Sequence, residues 1–309
     1  MRSSADLTIR ENASLAHHTR FAVGGPARVL VDAWTEAALI EALCGIRESG
    51  EIHTVMGGGS NLVAADEGYA GVVLRYTNSS IEFAGDTARV AGGAVLQDLV
   101  DASIAHGLKG LETMSGIPGW VGGAVYGNAG AYGHSIHERV SGVRYLEGEC
   151  VHEMGNAACE FAYRESVFKR RKDWIVLSVT LQLERADAAE LKASAERILK
   201  IRNEKYPPTM RCAGSIFKNL LWSELSAAVR AQVPPVVIRE GKVPSAYFLE
   251  QAGAKGLVRG GIRVADYHAN LIYNDGSGTA REVRELIADL KRRVHERFGL
   301  ELQEEVQYL

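Results

Sequence analysis

The glycines constrain this chain most. Thirty-three of its 309 residues are glycine, and they cluster at Gly24-Gly25, Gly57 to Gly59, Gly116 to Gly133 and Gly253 to Gly261, mostly just after short apolar runs. The densest stretch, Ser115 to Gly133, reads SGIPGWVGGAVYGNAGAYG and holds seven glycines in nineteen residues. An ordinary loop needs one or two glycines for special dihedrals; this density points to a backbone wrapped against an extended ligand. Ile117, Pro118, Trp120, Val121 and Tyr132 argue against a mobile linker, because they need packing. A second loop, Gly57-Gly58-Gly59-Ser60-Asn61, directly follows a strand-like run. Residues without side chains let backbone N–H groups converge on an anion. It is not a Walker loop, since no Gly-Lys-Ser/Thr follows, and Leu62 stands where a dinucleotide fingerprint has its third glycine. Alone, a GGG run is more often a tight turn. Two such loops, each after a β/α segment, suit a dinucleotide with a pyrophosphate at its middle.

The rest of the chain is ordinary globular protein. With 46% hydrophobic and 24% charged residues it is neither disordered nor fibrous, and its length allows two or three domains. Thirty-five basic against 38 acidic residues, net −3, give no field for a polyanion, so nucleic acid is not an expected partner. The longest apolar runs are strand-sized, short of the roughly 20 residues of a membrane span, and MRSSADLTIREN lacks an apolar signal core. A cytoplasmic protein is expected. Cys44, Cys150, Cys159 and Cys212 are scattered without a CxxC pair and read as reduced thiols.

The periodicities give alternating element types. A strand near Ala27 to Asp32, a helix capped by Thr35 and stopped at Gly50, and a strand near His53 to Met56 form a β-α-β unit. Another strand is expected at Gly71 to Arg75, a hairpin at Ser80 to Phe83 and Thr87 to Val90, and a helix carrying Leu96, Leu99, Val100 and Ile104. From Trp174 to Glu184, Ile175, Leu177, Val179, Leu181 and Leu183 alternate as in a strand. Asp187 with Glu190 opens a helix that halts before Pro207-Pro208, and a domain boundary is placed near 186. A last helix starts at Thr279 with Glu282 three residues on and stops at Gly299, and Leu300 to Leu309 read as a strand.

Three further clusters could carry chemistry. Tyr163-Arg164-Glu165-Ser166 precedes the long strand, and arginine offers a planar fork for a carboxylate or enolate, though such an arginine is more often a surface residue. In Ala213 to Asn219 a hydroxyl, Ser215, follows a glycine, and no GxSxG elbow surrounds it. Of Glu304-Glu305, alternation points one outward and could bury the other; exposure of both is the default. No metal is expected: the His-Glu pairs at 137, 152 and 295 lack the second histidine of HExxH, and His134 with His137 makes too few ligands.

Taken in order, TRFAVGGPA, GGGSNLV, SGIPGWVGGAVYGNAGAYG, YRESVFK, AGSIFKN, FLEQAGAKG, HANLIYN and LQEEV, running from about Thr19 to Val306, resemble the UDP-N-acetylenolpyruvoylglucosamine reductases. Each motif is weak alone and eight in order are specific. The resemblance implies an α+β fold with a two-lobed FAD-binding region of the FAD-linked oxidase (PCMH) type, followed by a separate α+β substrate-binding domain. The expected division is lobe 1 at 1–76, which the strand 300–309 could join, lobe 2 at 77–186 and the substrate domain at 187–299. It also implies noncovalent FAD, NADPH as co-substrate, and reduction of the enolpyruvyl ether of UDP-N-acetylglucosamine to UDP-N-acetylmuramate in peptidoglycan precursor synthesis. Small molecules are then the partners, with neither nucleic acid nor membrane, and the chain is expected to be a monomer.

Residue by residue, the resemblance gives FAD the first loop, Gly57, Gly58, Gly59, Ser60 and Asn61. It also gives FAD Ser115, Gly116, Ile117, Pro118, Gly119, Gly122 and Gly123, then Asn128, Gly130, Ala131 and Tyr132, of the second. Arg164 matches the active-site arginine, Ser215 the proton donor and Glu305 the C-terminal acid; Tyr163, Asn219, Lys242 and Lys205 match substrate-contacting positions. The chain lacks an insertion of the family's longer branch between the long strand and the serine, which assigns it to the shorter branch. Trp120 and Gly127 stand where a small residue and a methionine are expected. The alternative is another flavin oxidoreductase on the same scaffold, such as an oxidase with a covalent flavin, disfavoured because no His or Cys lies in either loop. A non-catalytic nucleotide-binding module is disfavoured by Arg164, Ser215 and Glu305 together.

Overall fold

The computed structural model describes residues 6–309, so part of the N-terminal stretch read above lies outside the described residues. The chain forms two compact units. The first takes in the chain through Ala13, Ala27–Gly59 and Ala70–Pro207, and the second Ser14–Pro26, Ser60–Tyr69 and Pro208–Leu309.

The first unit is built on two sheets. One orders its strands Leu7–Ser14, Pro26–Ala33, Tyr69–Tyr76 and His53–Val55, the last two parallel with His53 opposite Val72. The helix Glu36–Glu48 starts where Thr35 Oγ1 accepts from the Ala38 N–H at 3.2 Å. It buries Leu39, Leu43 and Ile46 against Val31, Val72 and Leu74. The other sheet orders Cys150–Gly155, Val140–Glu147, Trp174–Gln182, Thr87–Ala91 and Ile81–Ala84, all antiparallel. The helix Leu96–Ala105 packs there with Leu96, Leu99, Val100 and Ile104 inward. The central strand Trp174–Gln182 does not keep one alternating face. Ile175 and Leu177 enter the first sheet's core, while Val179 and Leu181 enter the second. A register shift opposite Arg144 and Tyr145 resets the alternation between them.

Two expectations about organisation change. The boundary near 186 falls inside the first unit, because the helix Ala188–Lys205 buries Leu191 and Ala195 in the core that holds Leu99 and Met114; the break comes after Pro207. The tail is regular strand only at Gln307–Tyr308, which pairs parallel with Leu62–Val63. That pairing is with a segment inside the expected lobe 1, but Ser60–Tyr69 belongs with the tail to the second unit.

In the second unit a three-stranded sheet, Val258–Arg259, Ile262–Ala265 and His268–Asn274, packs with the helices Ser245–Gln251 and Ala280–Phe298. The long helix opens with the expected capping box: the Glu282 N–H donates to Thr279 Oγ1 and the Thr279 N–H to Glu282 Oε2. It closes on Gly299 at φ +65°. Val283, Leu286, Ile287, Leu290 and Val294 face the core with Phe248 and Ile272. Among the described residues no helix is long and apolar enough to cross a membrane.

Candidate functional site

The glycine-rich stretch of the first unit, a loop by its composition, is ordered around a short helix, Val121–Tyr126. Backbone bonds set its start, with the Val121 N–H donating to Ala94 O and the Gly122 N–H to Gly92 O, both at 2.8 Å. A Cβ on Gly122 would stand a tight 3.0 Å from that Gly92 oxygen, and one on Gly130 would meet His134 O at 2.4 Å, too close for any residue but glycine without a shift. Gly116, Gly119 and Gly133 have positive φ, and so do the non-glycine Asn128 (+42°) and Tyr132 (+54°). Both amide groups of Gly116 are held by side chains: its N–H by Gln97 Oε1 at 2.6 Å and its oxygen by Arg202 Nε at 2.7 Å. Arg202 was missed by sequence reasoning; its only signal is its place in the last turn of the helix that carries Lys205.

Other glycines have no such internal reason. A Cβ on the loop residue Gly57 or on the helical Gly123 would meet no atom within 4 Å, although at a helical position such as 123 alanine is favoured over glycine by about 1 kcal/mol. Open backbone at two loops suits the close approach of a ligand. Asn61 adds a polar group in want of a partner: its Oδ1 is buried and accepts no hydrogen bond, which costs about 1–3 kcal/mol unless a donor reaches it. These features fit a dinucleotide cofactor, with bare backbone for its phosphates and an acceptor for one of its hydroxyl or N–H groups.

Arg164 sits on a tight turn fastened to the same glycine-rich stretch. Ala162 and Glu165 exchange backbone hydrogen bonds at 3.0 and 3.1 Å, leaving Tyr163 and Arg164 at the tip. Arg164 has φ +59°, a conformation that costs an L-residue roughly 1–2 kcal/mol. The bonds that hold it there include Asn128 Nδ2 to Ala162 O (2.8 Å), Ser166 Oγ to Tyr126 O (2.7 Å), Arg164 Nη2 to Gly130 O (3.1 Å) and Lys169 Nζ to Arg164 O (2.8 Å). Asn128 and Ser166 are buried, and the guanidinium lies 5.4 Å from the centre of the Tyr163 ring. Strain held by surrounding structure marks a functional position more than an ordinary surface arginine. Lys205 ends the helix Ala188–Lys205 with its ammonium 5.0 Å from the Tyr206 ring.

The second unit brings Ser215 and Glu305 onto adjoining chain segments. Gly214, at φ +79°, turns the chain into a short extended run. There Ser215 bridges Leu271 on one side, and the Glu305 N–H donates to Ile216 O at 2.7 Å on the other. The buried Asn270 clamps this run: its Oδ1 accepts from the Phe217 N–H (2.9 Å), and its Nδ2 donates to Phe217 O (2.9 Å) and Ser245 Oγ (2.8 Å). Asn270 stands in HANLIYN, but nothing local in the sequence marks it as the clamp. Asn61 Nδ2 donates to Glu305 O at 2.9 Å and the Gln307 N–H to Asn61 O at 3.0 Å, so the end of the first glycine loop is tied to the tail. Glu304 pairs with Lys291 at 2.9 Å and accepts from the Tyr308 hydroxyl; burial first, then Glu304, pushes that phenol's pKa well up. Glu304 and Glu305 are both partly exposed, so neither is buried by the chain alone. Asn219 immediately precedes Leu220–Leu221, which pairs antiparallel with Lys242–Val243.

The expected site residues thus divide. Gly57 to Gly59, the residues from Ser115 to Tyr132, Tyr163, Arg164 and Lys205 lie in the first unit, and Ser60, Asn61, Ser215, Asn219, Lys242 and Glu305 in the second. Among the described residues no group of three or more His, Cys, Asp or Glu could hold a metal ion.

Known proteins sharpen the picture. Residues 27–151 match a family model described as an FAD binding domain, and residues 206–309 match the C-terminal domain of UDP-N-acetylenolpyruvoylglucosamine reductase. A protein of that name from Solibacter usitatus is 55% identical over 98% of this chain and 97% of its own length. Another, from Bacillus licheniformis, is 33% identical over 97% of this chain and 94% of its own. The crystal structure of the Thermus caldophilus reductase superposes with a TM-score of 0.76 at 28% identity, covering 98% of both chains. This chain belongs to the UDP-N-acetylenolpyruvoylglucosamine reductase family.

Proposed function

We propose that the chain reduces the enolpyruvyl ether of UDP-N-acetylglucosamine to UDP-N-acetylmuramate, a step of peptidoglycan precursor synthesis, using NADPH and one noncovalent FAD. The observation that carries this reading is Ser215 beside the Glu305 segment, with the first glycine loop tied to that same segment through Asn61. Gly57, Gly58, Gly59, Ser60 and Asn61, with the stretch from Ser115 to Tyr132, would hold the cofactor on bare backbone and the unpaired Asn61 oxygen. When bound, FAD supplies the redox chemistry, taking a hydride from the nicotinamide and giving one to the terminal vinyl carbon.

Everything else falls to the side chains. Hydride addition leaves negative charge on the carbon bearing the carboxylate and on the carboxylate oxygens. Arg164, pre-aimed by its strained turn, meets that charge without reorganising, and Glu305 is a second group for the same oxygens. Ser215 Oγ gives its proton to the carbon. Serine is a weak acid, adequate because an enolate carbon is a strong base, so position matters more than acidity. Lys205 and Lys242 offer point charges to the diphosphate, and Tyr163 and Asn219 contact the remainder of the substrate.

The test is simple. Purified protein should be yellow, should bleach with NADPH, and should release its flavin into the filtrate on denaturation. Colour retained on the precipitated chain, or a chain that stays colourless after incubation with FAD, would refute the reading.

A further inference from the structure

One side chain links the two glycine-rich loops of the first unit. A Cβ on Gly58 would stand 3.0 Å from Cδ1 and 3.1 Å from Nε1 of the Trp120 indole, whereas one on the neighbouring Gly57 would meet no atom within 4 Å. The first loop therefore turns one bare residue to open space and the next onto the indole. The Trp120 backbone is pinned: it bridges Val95, the Leu96 N–H donates to Gly119 O at 2.9 Å, and the Val121 N–H to Ala94 O at 2.8 Å. The ring has its own support. The Arg75 guanidinium lies 5.5 Å from the ring centre, within cation–π range. Arg75 is itself held fork-to-fork by the buried carboxylate of Asp32, Nε to Oδ1 at 2.6 Å and Nη2 to Oδ2 at 2.8 Å. Asp32 also pairs with Arg10.

We propose that Trp120 is a positioning residue for the flavin cofactor: its indole, backed by Arg75 and Asp32, sets the spacing of the two loops and favours glycine at residue 58. The inference rests on the FAD reading above and deepens it. Converging N–H groups bind an anion only if their spacing is kept, and a rigid ring wedged between two loops keeps it better than a small side chain would. Open space beside Gly57 is then left for the cofactor, while the side of Gly58 where a Cβ would stand faces the indole and its backbone stays part of the cofactor loop.

The experiment is a double-mutant cycle on the intact chain, read as the FAD Kd by equilibrium dialysis, with the melting temperature of the FAD-free protein measured alongside. Gly58→Ala in the parent should weaken FAD about ten-fold, since the ring must give way by a few tenths of an ångström, yet in a Trp120→Ala background it should change Kd by less than about two-fold, the two sites being coupled. Trp120→Ala alone should weaken FAD, and Trp120→Phe should recover part of the loss, with little change in melting temperature among the three. Equal Gly58→Ala penalties in both backgrounds would mean the glycine serves the ligand directly and would overturn the inference, as would an unchanged Kd in Trp120→Ala. A melting-temperature loss with FAD affinity intact would make the residue purely structural and overturn it too. If Trp120→Ala does not fold, Trp120→Phe replaces it: Gly58→Ala must then cost less against the smaller ring than against the indole, and an equal cost overturns the inference. Failure of the parent itself to bind FAD would refute the reading of the whole site, an outcome distinct from all of these.

Discussion

At the scale of single residues, function here depends on side chains whose neighbours fix their direction. Glu305 hangs from a backbone whose N–H is bonded to Ile216 O and whose carbonyl is bonded to Asn61, so its place is set before substrate arrives. Glu305→Gln keeps the shape and a donor, and Glu305→Ala removes both. The Ala variant should therefore slow reoxidation of reduced enzyme by the enolpyruvyl substrate at least ten-fold more than the Gln variant. Equal rates in stopped-flow absorbance would make the tail acid structural. Asp32 gives a prediction for pH. Burial alone would raise its carboxyl, but Arg75 and Arg10 outweigh burial and hold it below the ordinary carboxylate range. A group with a depressed folded pKa contributes stability that is fully present above its unfolded value, about 3.9, and lost as pH falls through the folded value. The melting temperature of the parent should fall as the pH drops below about 4, and Asp32→Asn should be less stable at neutral pH and flatter across that range. Parallel curves for the two proteins would contradict the assignment.

At the scale of elements, what was legible in the sequence was whatever is specified locally. Thr35, Asp187 and Thr279 each cap a helix, and Gly299 ends one, because a cap needs only its own next turn. The helix Val121–Tyr126 was not legible, since two of its six residues are glycine and its start is fixed by the carbonyls of Ala94 and Gly92. The strand Val140–Glu147 was missed for a related reason: an extra residue at Ser141 breaks its period-two pattern near the start, while the shift opposite Arg144 and Tyr145 falls on the partner strand at Leu177. One cap reaches across the chain. Asp66, far from the helix Ala280–Phe298 in sequence, accepts from the Ala280 N–H at 2.7 Å and the Arg281 N–H at 2.9 Å. Asp66→Ala should cost about 1–2 kcal/mol, seen as a lower urea midpoint with an unchanged slope. A midpoint equal to the parent's would show that Thr279 and Glu282 cap the helix unaided.

At the scale of the whole molecule, the motifs are legible along the chain, while their grouping depends on contacts between segments far apart in sequence. The expected division lets only the tail 300–309 cross from one part of the chain to another, whereas Ser14–Pro26 and Ser60–Tyr69 also group with the C-terminal part, Ser60–Tyr69 through a strand pairing with the tail. Asn61 and Glu305, which share a hydrogen bond, are 244 positions apart, and no periodicity reports such a contact. Only the resemblance of eight ordered motifs suggests that Ser215 and Glu305 serve one reaction. The proposed reaction has two halves, and Ser215 is proposed to act only in the second. Hydride transfer from NADPH to FAD needs no proton from it. Stopped-flow absorbance of Ser215→Ala is the direct test: flavin should bleach with NADPH at a near-parental rate, and its reoxidation by the enolpyruvyl substrate should slow by roughly 10²–10⁴-fold, the usual worth of a positioned general acid. Reoxidation within a few-fold of the parent would contradict the claim.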